Sequence, residues 1–181
     1  MRLGDFIAAQ DNPDVNDWVV DLRNNTGGNM WPMIAGLGPL FDNELLGHFI
    51  DADGVATPWG YVRGSAVIDG TSRVSVNTPY VLENRPRRIA VLSSRRVASS
   101  GEATLIAFKK QSNVRIFGSD SCGLSTANTA FPLSNGTTLF LTTAITADRE
   151  QEAYGGTVRV DEMTDPGSTL AEAFRWLEAN P

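Results

Sequence analysis

The stretch WVVDL (18–22) packs apolar and β-branched residues together without a polar alternation, which predicts a short buried strand. RIAVLSS (88–94) and VRIFGS (114–119) have the same character and predict two more. Between them, GEATLIAFKK (101–110) predicts a helix. RNNTGGN (23–29) breaks the apolar pattern with Asn and Gly, so the first strand ends in a loop with positive-φ positions. A second helix is expected near MWPMIAGLGPLF (30–41), where Pro32 is tolerated only in the first turn. LGHFID (46–51) and WGYV (59–62) predict strands on either side of a DADG turn. TAFPL and TLFLTTAI flank SNGT, a hairpin with Asn135-Gly136 at its tip. DPGSTLAEAFRWLEAN (165–180) predicts a closing helix with Ser168 as N-cap. Short strands alternating with helices make the fold class α/β.

Length and charge narrow the functions. The 181 residues suit one domain with a real core. No apolar run approaches the roughly 20 residues of a membrane span, so none is expected. A net charge of −6 with no basic run argues against nucleic acid as a partner; RPRR (85–88) is expected to be a solvated face beside a strand. One cysteine, Cys122, gives neither a disulfide framework nor a zinc cluster. Asp51, Asp53 and Gly54 resemble part of a calcium loop but lack the remaining ligands, and a plain turn is expected. No metal or cofactor is expected. MRLGDFIAAQ has no signal-peptide apolar region, which implies a cytoplasmic protein if Met1 is the true start. Oligomeric state is not legible.

The candidate chemistry sits at the mouth of the central helix, in RRVASSGEATLIAF (95–108). Ser99-x-x-Glu102 matches a capping box, in which hydroxyl and carboxylate satisfy two orphan amides. The same turn would aim a serine oxygen into a cleft and leave helix-start amides free for an oxyanion. The local pattern leaves both readings open.

DWVVDLRNNTGG, VASSGE, FGSDSCGLSTANTAFPLSNGTTLFLT and YGGTVRVD, in that order, resemble the C-terminal catalytic core of the S41 serine peptidases, the tail-specific or C-terminal processing protease family. The resemblance runs from about Trp18 to Trp176. It implies a ClpP/crotonase-like α/β core with mixed β-sheet and flanking helices, and a peptide or protein substrate. It places the nucleophile on Ser99, with Ser100 as the neighbouring alternative. The oxyanion amides it implies are those of Ser100 and of Gly27 or Gly28, one of the two.

The general base does not carry over so readily. Where many members place a lysine, this chain has Leu124. Its two lysines, Lys109 and Lys110, lie ten and eleven residues beyond Ser99, about 15 Å away at a helical rise of 1.5 Å. Other members use Ser–His–Glu with the histidine upstream of the DLRNN motif. The sole histidine, His48, lies downstream, within an expected strand. The acid position falls near Tyr154. Glu150 and Glu152 lie close by, so Glu152 is the candidate orienting acid if the loop is shifted, and otherwise both are solvated charges. The expectation is a single catalytic-core domain over 1–181, with the base supplied from a region further upstream. The alternatives are a non-catalytic S41-like module that binds an apolar ligand or peptide, and a crotonase-like acyl-CoA enzyme.

Overall fold

The computed structural model describes residues 3–179. Two sheets enclose two helices. The first sheet has four strands, β1 (Asp17–Asp21), β6 (Arg88–Ser93), β7 (Val114–Gly118) and β10 (Glu162–Met163), in the order β1-β6-β7-β10, all parallel. The second is antiparallel, with β2 (Leu45–Asp51), β3 (Ala56–Val62), β4 (Ser65–Ile68), β5 (Thr71–Ser75), β8 (Thr126–Pro132) and β9 (Thr138–Asp148) in the order β5-β4-β3-β2-β9-β8. The α/β class therefore holds, with parallel and antiparallel pairing divided between two sheets.

The unbroken apolar runs are explained by burial on both faces of the parallel sheet. Every residue of β6 is buried. Ile89 and Val91 join the main core with Leu105 and Ile106 of α3 (Ser100–Ala107), Ile34 of α2 (Met30–Leu37), and Leu46 and Trp59 of the second sheet. Ala90 and Leu92 face the other way, onto Ala173 and Leu177 of α4 (Thr169–Glu178). Residues 101–107 of α3 are all buried, so this helix is the centre of the molecule.

Two local expectations are corrected, and one element is new. Arg88 is not part of a solvated face: it is 8% exposed, stacks on Trp176 at 5.5 Å and donates to the carbonyls of Trp176 and Leu177. A cation at the carbonyl end of α4 complements the helix dipole. Ser168 occupies the N-cap position, but its hydroxyl donates back to the Asp165 carbonyl instead of capping α4. Helix α1 (Leu3–Gln10), with Ile7 its one buried residue, is an element the apolar pattern does not announce. The closing helix ends at Glu178, and Asn180 lies outside the described residues.

Candidate active site

Ser99 stands on the turn from β6 into α3 with φ 53° and ψ −121°. A non-glycine residue held at such a φ costs on the order of 1–3 kcal/mol and persists only where its surroundings enforce it. Those surroundings are visible. The Ser99 amide donates to Glu102 Oε2 at 2.8 Å, and the Ala98 amide donates to the Asn25 carbonyl at 3.2 Å. The Glu102 amide donates to the Ser99 carbonyl at 2.8 Å, and Ser99 and Glu102 form a capping box across the turn. The expected capping box is thus formed, on the same turn that carries the candidate nucleophile.

Glu102 is fully buried and does more than cap. Its Oε1 accepts from the Ser121 hydroxyl at 2.5 Å and the Gly123 amide at 2.8 Å, and its Oε2 also accepts from the Leu124 amide at 2.8 Å. One carboxylate therefore ties the serine turn to the loop at 121–124. Burial of a charge is tolerable when its lone pairs are filled in this way.

The loop after β1 meets this turn directly. Arg23 grips Asp21 with two bonds of 2.9 and 2.6 Å, and chiefly this hydrogen bonding holds the Asp21 carboxyl below the ordinary carboxylate range. Ser94 donates to the Arg23 carbonyl at 2.6 Å, and Ser100 Oγ donates to the Gly28 carbonyl at 2.7 Å. Gly101 allows the approach, since a Cβ there would stand 2.4 Å from the Asn25 carbonyl oxygen. Gly27 has φ 109°, and a Cβ on it would lie 3.0 Å from both Ala98 O and Ser99 Cβ.

The amides around the serine are not equivalent. The Gly27 amide is already used, donating to Asn25 Oδ1 at 3.2 Å. The amides of Gly28 and Ser100 take no hydrogen bond among the described residues. Both residues, with Ser99, line a cleft of about 560 Å³. Its walls are the start of α2 (Asn29, Trp31), the second sheet (Phe49, Thr57, Ile68, Arg73) and the β8–β9 hairpin (Thr126–Thr129, Phe140, Thr143).

Comparison with known proteins gives this arrangement its lineage. Residues 2–173 match the model of peptidase family S41. The chain belongs to peptidase family S41. It is 35% identical over 165 residues to the nisin-resistance protein of Lactococcus lactis subsp. lactis, covering 91% of this chain and 50% of that protein. A lipoprotein from Streptococcus agalactiae, of solved structure, superposes with a TM-score of 0.76 and 32% identity, over 99% of this chain and 59% of its own. The photosystem II D1 C-terminal processing protease shares the fold at a TM-score of 0.61 and 22% identity, over 89% of this chain and 37% of its own. The chain thus spans about half the length of the relatives it matches.

Within the S41 framework, the remaining candidates fall outside the cleft. Glu152 pairs with Lys110 at 2.8 Å, in a separate depression formed with Phe108 and Tyr154 beyond the far end of α3. That pairing lowers the Glu152 pKa and raises that of Lys110. The structure thus places Glu152, the candidate orienting acid, on an ion pair outside the residues that line the Ser99 cleft. Lys109 is held by Asp161 at 3.1 Å. His48 is buried in β2, where its Nδ1 donates to the Asp148 carbonyl at 3.1 Å; its neighbour Phe49 lines the cleft and His48 does not. Leu124 is 55% exposed. Asp51 folds its own turn, with Oδ1 accepting from the amides of Asp53 and Val55 at 3.0 and 2.9 Å. Arg73 is a cleft residue with no signal in the sequence, since nothing in TSRVS (71–75) announces the aromatic ring on which it lies.

Proposed function

We propose that this chain is the nucleophile-bearing part of a serine endopeptidase that cleaves peptide bonds through an acyl-enzyme on Ser99. The observation that carries the reading is the strained Ser99 turn facing a cleft beside two amides with no partner among the described residues. A base takes the Ser99 proton as Oγ attacks the peptide carbonyl. The amides of Ser100 and Gly28 then stabilise the tetrahedral oxyanion, each worth on the order of 3 kcal/mol. The protonated base gives its proton to the leaving amine, and water hydrolyses the acyl-enzyme.

Lys109 and Lys110 are ion-paired elsewhere and His48 does not line the cleft, which supports a base supplied from upstream in a longer protein. The relatives' greater length leaves room for such a segment. Kinship with a protein named for nisin resistance is in keeping with a peptide substrate, and nisin is a natural trial substrate.

Intact-mass labelling with a fluorophosphonate probe, on the longest product of the gene, tests the reading. One adduct is expected on the parent and none on Ser99→Ala, with stability changed by no more than about 1 kcal/mol. An unlabelled parent would overturn it in favour of a non-catalytic module binding an apolar ligand or peptide, a role for which Trp31, Phe49 and Phe140 supply an aromatic wall.

A further inference from the structure

The Ser99 cleft carries a single charge. Arg73, on β5, is the only ionisable residue among those lining it, in a chain where 21 acidic residues outnumber 15 basic ones. Arg23, Arg87 and Arg149 each hold a carboxylate, at 2.6, 2.7 and 2.6 Å. Arg73 has no such partner among the described residues; its recorded contact is with a ring, its guanidinium carbon lying 5.7 Å from the centre of Trp31.

That ring is a fixed platform. The Trp31 amide is capped by Asn29 Oδ1 at 3.1 Å. The indole meets Phe49 edge-on at 6.4 Å and 86°, and Phe49 lies 5.8 Å from Trp59, which is 1% exposed. Stacking occupies the face of a guanidinium and leaves its N–H edge to donate, in a fork that matches a carboxylate. Part of the ordering cost of a long side chain is thereby met before any ligand arrives. The other polar groups around it, such as Asn29, Thr57 and Asn128, are neutral and select no sign of charge.

We propose that Arg73 is a specificity-determining residue that binds a carboxylate of the peptide lying across Ser99, whether the free C-terminus or an Asp or Glu side chain. The proposal rests on the reading of this cleft as a peptide site. Its test is direct binding to the 181-residue chain bearing Ser99→Ala, which requires no activated serine. Three fluorescent peptides of one neutral sequence are compared by anisotropy: one with a free C-terminal carboxylate, one amidated, and one amidated with a single internal Glu.

At least one carboxylate peptide is expected to bind about tenfold tighter than the neutral one, and which of the two does so identifies the source. Arg73→Gln removes the preference, and Arg73→Lys retains part of it. Equal affinities in the parent, no binding of any peptide at millimolar concentration, or an equal loss for all three peptides in Arg73→Gln would each overturn the proposal. The last result would reduce Arg73 to a cover over Trp31. Because fluorophosphonate labelling reads Ser99 alone, loss of the carboxylate preference and loss of the peptidase reading are distinguishable.

Discussion

Ser99 and Gly27 stand so close that a side chain added at Gly27 would press on the serine turn. Ser99 has φ 53°, and the Gly27 α-carbon, at φ 109°, stands where a methyl group would press on Ser99 Cβ and on the Ala98 carbonyl at 3.0 Å. Gly27→Ala is therefore expected to lose about 1–3 kcal/mol of stability and to abolish labelling by displacing the serine turn. At Gly28 the nearest obstacle to a Cβ is Met33 Cε at 3.9 Å, so only backbone strain operates there. Gly28→Ala should lose less stability than Gly27→Ala in paired urea melts; the reverse order would contradict this account. The two glycines could not be told apart in the sequence because both sit in one loop with positive φ. What separates them is a side chain two residues upstream, Asn25, whose oxygen occupies only the Gly27 amide.

At the scale of elements, the apolar pattern was legible in the parallel sheet and the helix packed on it, with β6 buried throughout and β1 and β7 in part. β1, β6 and β7 and the core of α3 follow the runs that announced them, since a parallel sheet between helix layers needs no polar positions. α1, β4 and β5 were not announced: α1 buries a single residue, and β5 exposes four of its five. Their places are set by partners distant in sequence. Arg88 shows the same limit for a side chain. Within RPRR it reads as surface charge, yet it ties the end of α4 to the sheet because the carbonyls of Trp176 and Leu177 lie within its reach. Arg88→Met should cost about 2–3 kcal/mol. Hydrogen exchange should show faster opening in α4 than in the β6–β7 pair; uniform loss across both would argue against a local tie.

At the scale of the whole molecule, half-buried phenols set an alkaline limit to stability. Burial, with the nearby Asp148 charge, holds the Tyr154 pKa far above its ordinary value, and burial raises that of Tyr61. Each phenol ionises more readily in the unfolded chain than in the folded one. Their stabilising effect is therefore complete below the ordinary tyrosine pKa of about 10 and is lost as pH rises beyond it. Denaturation midpoints should fall between pH 9.5 and 11.5 (roughly the window set by that value), and less steeply in Tyr154→Phe. An unchanged slope in the variant would assign the fall to other groups.

The fully satisfied Glu102 changes what the Ser-x-x-Glu signature means to anyone tracing descent. Its four bonds hold the turn into the central helix and the 121–124 loop, and none of them is made by the Ser99 hydroxyl. Selection for a stable scaffold is enough to retain this glutamate in a lineage that has stopped cutting peptides. The signature is therefore a marker of ancestry, and a survey seeking working enzymes among such sequences should select on the partner that removes the serine's proton.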